Sequence, residues 1–137
     1  MKSMPTQLAL FPGKTKKAPP VLEFPKACVI ADACRKFLVA GWKWTHLPFG
    51  EHRSKATANR LKRMGVMPGW PDYLFVSPSG KHHYVELKRV GGKLNDNQAE
   101  MKVFFLAAGV PYLLSNNVRE VLVTLQSWGV LRADVRF

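Results

Sequence analysis

The segment 72–88, "DYLFVSPSGKHHYVELK", limits the fold more than any other stretch of the chain. Two runs rich in aromatic and β-branched residues flank Ser77-Pro78-Ser79-Gly80-Lys81, whose composition suits a tight reversal, so a β-hairpin is predicted. Antiparallel pairing brings the start of its first strand beside the end of its second. Asp72 is therefore expected to meet Glu86 and Lys88. Glu86 and Lys88 are two residues apart and share one face of their strand, inside an apolar run. Charged groups in a sheet interior are costly unless something compensates them.

The rest of the chain supplies the elements around this hairpin. Pro25 suits the first turn of a helix, with Val29, Ile30, Ala33, Phe37 and Leu38 at helical spacing and Gly41 as its stop. "WKWTHLPF" reads as a short strand ended by Pro48 and Gly50. Ser54 is the expected cap of a surface helix through Met64, stopped by Gly65. Asn95 and Gln98 form a capping-box pattern for a helix through Ala108, with Gly109 beyond it. "VPYLLS" is a further strand, and Asn116 or Asn117 caps a last helix through Trp128. The C-terminal "LRADVRF" fits either a last strand or a loose end. This order of elements predicts an α/β domain with a mixed sheet flanked by helices over residues 23–137. Residues 1–22, with Pro5, Pro12, Pro19, Pro20 and four lysines, are expected to form a flexible basic tail.

A chain of 137 residues, 47% of them hydrophobic, is long enough for one core. Its 21 basic residues outweigh 9 acidic ones, for a net charge of +12. Arg53, Lys55, Arg60, Lys62 and Arg63 fall within eleven residues without an intervening acid. A solubilising face is the bland account of that run; a polyanionic partner is the stronger one, because lysine and arginine release counterions from phosphate backbones. No apolar run reaches the roughly 20 residues that span a bilayer, and no signal peptide is recognisable, so a cytoplasmic protein without membrane contact is expected. Cys28 and Cys34 read as reduced structural thiols. His82 and His83 point to opposite strand faces and make a zinc site improbable.

Two carboxylates and a lysine at one sheet edge suit a hard cation, Mg²⁺ or Mn²⁺, with water and phosphate oxygens completing its shell. Such an ion polarises a phosphoryl oxygen, and Lys88 orients or deprotonates a water or offsets developing charge. The alternative is a same-face Glu86–Lys88 salt bridge contributing about 0–1 kcal/mol.

Pro71-Asp72 followed by Glu86-Leu87-Lys88 resembles the PD-(D/E)xK nuclease signature. More narrowly, "LKRMGVMPGWPDYLFV" and "YVELKRVGGKLNDNQAE" resemble the virus-type replication-repair nuclease (VRR-NUC) family over residues 23 to 128. The resemblance implies a restriction-endonuclease-like core and a Mg²⁺- or Mn²⁺-dependent DNA endonuclease of phage or bacterial replication, repair or recombination. It implies that Asp72, Glu86 and the Leu87 carbonyl bind metal, that Lys88 is the catalytic lysine, and that Gln98 faces the site. Glu23 is the candidate for the family's first-helix glutamate, with Asp32 as fallback; a favourable place at a helix N-terminus is the other account of Glu23. Arg53, Lys55, Arg60, Lys62, Arg63, Arg89 and Lys93 would hold the DNA backbone, with Gly91 and Gly92 permitting close approach. Phosphate contacts read no sequence, so selection of branched, flap or junction DNA is expected. Small members of this kind are associated with homodimers.

Within the tail, Gln7, Leu8, Leu10 and Phe11 of "QLALF" resemble the peptide by which bacterial replication and repair proteins dock on the sliding clamp. Packing of the same residues on the chain's own domain or on a second subunit is the alternative. Two other functions compete with the DNA endonuclease: a catalytically silent DNA-binding module on the same fold, and an RNA nuclease.

Overall fold

The computed structural model describes residues 19–48, 53–88 and 92–137, with side chains from residue 24 onward. Among the described residues, four helices and four strands follow in the order α1 (Pro19–Phe37), β1 (Lys43–His46), α2 (Lys55–Arg63), β2 (Tyr73–Val76), β3 (His82–Leu87), α3 (Asp96–Ala107), β4 (Tyr112–Ser115) and α4 (Val118–Ser127). The sheet runs β1-β2-β3-β4, antiparallel across the first two pairings and parallel between β3 and β4. This is the mixed α/β architecture expected from the order of elements. No helix among the described residues is long and apolar enough to cross a membrane.

Local chemistry sets the helix ends. Ser54 caps α2 by accepting from the Thr57 amide, and Asn117 caps α4 by accepting from the Glu120 amide. At α3 the capping box is complete: Asn95 Oδ1 accepts from Gln98 N at 2.9 Å, and Asn95 N donates to Gln98 Oε1 at 3.1 Å. The first helix departs from expectation, because it begins at Pro19 and holds Pro25 in its interior. Pro19 and Pro20 occupy the first turn, where amide hydrogens have no helical partner and proline's fixed φ is already suitable.

Strand alternation divides the molecule into two layers. On one sheet face Tyr73, Phe75, Val85 and Leu87 bury against Ile30 and Cys34 of α1 and Val121 and Leu125 of α4, which makes the main core. Burial pushes the Cys34 thiol up to about 12, and neither it nor Cys28 is in a disulfide. His83 packs between the Trp42 and Trp128 rings on this face, while its neighbour His82 is exposed on the other. The C-terminal segment is more than a loose end and less than a strand. Leu131 bridges Leu38, Arg132 N donates to the Phe37 carbonyl, and Phe137 meets Phe37 edge-on.

On the opposite face, among the described residues, α3 and Trp70 cover one side. Phe105 of α3 stacks on Tyr84 at 4.5 Å between ring centres and on Tyr112 at 5.7 Å, and Trp70 closes on Tyr84 and Phe105. Aromatic pairs of this kind contribute about 0.5–1.5 kcal/mol each beyond their buried area. They fix α3 over β3 and β4, and so fix the helix start that carries Gln98.

Candidate active site

Tyr73 pairs with Val85 across the hairpin, and one further step along the antiparallel ladder sets Asp72 opposite Glu86. Asp72 Oδ2 accepts from the Leu87 amide at 2.7 Å. Since β2 begins only at Tyr73, the carboxylate extends the ladder past the end of its own strand. The Asp72 carbonyl is held in turn by the Leu47 amide and by His46 Nδ1 at 2.8 Å, which ties the residue to β1.

Glu86 is only 3% exposed, and its compensation is visible. Its Oε1 accepts from Gln98 Nε2 at 2.9 Å and lies 3.6 Å from Lys88 Nζ. Lys88 Nζ donates to Gln98 Oε1 at 2.9 Å. One amide therefore joins the acid and the base of the Glu86-Leu87-Lys88 triplet while completing the cap of α3. Among the described residues, every buried side-chain polar atom has a hydrogen-bond partner.

The loop into Asp72 is locked to the same helix. Gly69 has φ +92°, and a Cβ placed there would lie 2.5 Å from the Asn97 carbonyl oxygen. Only glycine fits so close an approach in that conformation. Pro71 follows, fully buried. Tyr112 completes the surroundings from β4: burial, and then the charges of Glu86 and Asp72, push its phenol well above the ordinary tyrosine range. Its hydroxyl stays protonated. His46 and Tyr112 carry no sequence signal for this position, because each arrives through pairing of strands distant along the chain.

Asp72, Glu86, Leu87, Lys88 and Gln98 thus converge. Lys55, Arg60, Lys62 and Arg63 lie on exposed α2, which buries no residue and leads through residues 64–71 to Asp72. Arg53 precedes that helix and donates to the Pro48 carbonyl. Lys93 is exposed just before α3. Asp32 is exposed and pairs with Arg35 at 3.3 Å. The Glu23 side chain, Arg89, Gly91 and the tail residues Gln7, Leu8, Leu10 and Phe11 lie outside the described residues.

No cluster of three or more histidine, cysteine or acidic side chains with metal-site spacing occurs among the described residues. The donor set at hand is two carboxylates facing across one strand pair, next to a main-chain carbonyl. That fits a hard cation which keeps most of its water, as Mg²⁺ does with one or two protein carboxylates; it does not suit zinc, which takes four nitrogen or sulfur donors in structural sites. Comparison of the chain with protein-family models, curated proteins and solved structures returns no match.

Proposed function

We propose that this chain is a metal-dependent DNA endonuclease of the virus-type replication-repair kind, on a PD-(D/E)xK core, serving phage or bacterial DNA metabolism in the cytoplasm. The observation that carries the reading is the linkage of Asp72 to Leu87, and of Glu86 to Lys88 through Gln98, at the open end of the hairpin. A sheet needs no such cluster for its own stability, since burying carboxylates costs more than an apolar pair would.

Asp72, Glu86 and the Leu87 carbonyl would hold Mg²⁺ or Mn²⁺. When bound, the ion polarises a phosphoryl oxygen and lowers the pKa of coordinated water. Hydrolysis adds the water oxygen to phosphorus and releases a sugar oxygen, which takes up a proton. Lys88, aimed by Gln98, offsets the negative charge that grows on the phosphate. Gln98 holds Glu86 and Lys88 at a fixed spacing, so little reorganisation accompanies reaction. The cations of α2 grip the backbone without reading bases, which favours selection by DNA shape.

The test is incubation of the full chain with labelled linear, flap and four-way-junction DNA, and with RNA of the same sequence, in Mg²⁺, Mn²⁺ or EDTA. Metal-dependent cutting of branched DNA ahead of linear DNA and RNA is expected. Tight binding without cutting in any metal would replace this reading with a silent binding module.

A further inference from the structure

Helix α2 ends in a closure that leaves two methionines outside. The Gly65 amide donates to the Lys62 carbonyl at 3.1 Å and the Val66 amide to the Leu61 carbonyl at 2.9 Å, so the chain folds back on its last turn. Leu61 and Val66 are half-buried in this reversal, whereas Met64 is 76% and Met67 62% exposed. Single exposed apolar residues are ordinary on a protein surface. Here two fall within one short turn, and the chain around them is strongly charged. Arg60 precedes Met64 by one helical turn on the same stripe, Lys62 and Arg63 adjoin it, and no acidic residue occurs between Arg53 and Asp72. The segment that follows is anchored: Gly69 lies against the Asn97 carbonyl, Trp70 packs on Tyr84 and Phe105, and Pro71 is buried. Met67 is five residues before Asp72, which places it within about 18 Å at ~3.6 Å per residue.

We propose that Met64 and Met67 form an apolar wedge that enters the branch point of a DNA junction or flap and rests on the base face exposed there, while Arg60, Lys62 and Arg63 hold the adjoining phosphates. The inference rests on the endonuclease reading and names the residues that make DNA shape matter. The local run of cations selects a polyanion. Apolar tips beside those cations call for a polyanion that also offers an apolar surface, and nucleic-acid bases do. Inside a continuous duplex both faces of each base pair are stacked, so the tips gain contact only by unstacking a step. A flap or junction supplies the interruption already. An anionic lipid surface fits less well, because α2 and its cap present only Leu61 and Met64 to it and no aromatic ring. The reach from Met67 to Asp72 sets cutting within about five nucleotides of the branch, at ~3.4 Å each.

The test compares Met64→Ala/Met67→Ala with wild type, with Met64→Leu/Met67→Leu, which keeps the apolar tips, and with Val29→Ala, an exposed apolar residue on α1. Affinity for a four-way junction and for linear duplex of the same sequence is measured by fluorescence anisotropy in EDTA across roughly 50 to 200 mM salt, and a fluorescent base analogue at the branch reports its stacking. The alanine pair is expected to bind the junction about tenfold more weakly, as loss of two buried apolar tips does, and to bind the linear duplex as wild type does. Its salt exponent should not change, since no phosphate contact is lost. The fluorescence change seen with wild type should disappear in the alanine pair and persist in the leucine pair, and Val29→Ala should match wild type throughout. A junction preference that the alanine pair keeps in full, or that wild type lacks while still cutting DNA, would overturn the wedge and leave the endonuclease standing. Equal loss on junction and linear DNA would reduce the tips to general surface contacts and overturn it as well. Wild-type binding to phosphatidylserine vesicles that the alanine pair loses, with junction preference unchanged, would assign the tips to a lipid surface instead. Wild type that neither binds nor cuts DNA would overturn both readings.

Discussion

Gln98 accepts from Lys88 Nζ at 2.9 Å through the same oxygen that receives the Asn95 amide, and donates to Glu86 at 2.9 Å through its nitrogen. The cap of α3 and the candidate site therefore share one side chain, and two substitutions separate them. Asn95→Ala removes the cap oxygen alone and should cost about 1 kcal/mol, with cutting by the folded protein nearly unchanged. Gln98→Ala should cost a similar amount of stability and slow cutting about tenfold or more, a transition-state loss of roughly 1.4 kcal/mol. Urea melts and single-turnover rates give both quantities. Equal rates in the two variants would reduce Gln98 to a cap.

Gly69 and Gly80 both have positive φ, yet their surroundings differ. A Cβ at Gly80 meets nothing within 4 Å, whereas one at Gly69 collides with the Asn97 carbonyl. Gly80→Ala should lose about 1–2 kcal/mol from the left-handed conformation alone, and its folded fraction should cut normally. Gly69→Ala should lose more and should also cut poorly, because either the loop carrying Asp72 or the helix start carrying Gln98 must shift. Stability and rate measured together decide this; normal cutting by Gly69→Ala would show that the loop relaxes without moving Asp72.

His83 links stability to pH. Burial lowers its pKa below 6.5 despite a bond to the Lys81 carbonyl, and the charges of Lys81 and His82 lower it further. The folded state thus holds the neutral ring while the unfolded chain takes up a proton near 6.5. The stabilising contribution is fully present above that pH and is lost as pH falls through the folded value. His83→Phe keeps a ring between Trp42 and Trp128 but cannot titrate, so its melting temperature should fall less than that of wild type between pH 7.5 and pH 5. Parallel decline of the two would assign the loss to other groups.

Much of this architecture was legible because it is encoded locally. Ser54, the Asn95–Gln98 pair and the 77–81 turn each act within a few residues, and the hairpin alone brings Asp72 to Glu86. The start of α1 was not legible, since Pro19 and Pro20 in a polar stretch read as a chain that avoids helix, although the first turn accepts them. His46 and Tyr112 were hidden for another reason. His46 reaches Asp72 only through the β1–β2 pairing, and Tyr112 reaches the site face only because β4 adds in parallel beside β3.

The "QLALF" stretch carries a prediction that requires no structure. A peptide covering residues 1–14 should bind a bacterial sliding clamp, with Leu8, Leu10 and Phe11 supplying apolar anchors and Gln7 fixing orientation. Leu10→Ala and Phe11→Ala should each weaken binding about tenfold or more, as truncation of anchor residues does. Calorimetric titration of the three peptides reads this directly, and equal binding by all three would remove the clamp as a partner.

In the proposed function, Asp72, Glu86 and Lys88 act as one hydrolytic centre. Its most direct test is the single-turnover rate on junction DNA of wild type, Asp72→Asn, Glu86→Gln and Lys88→Ala, with Mg²⁺, Mn²⁺ and EDTA. Metal-dependent cutting by wild type and a loss of about 100-fold or more in the folded fraction of each variant are expected, with DNA binding largely retained. Cutting that persists in all three variants, or in EDTA, would contradict it.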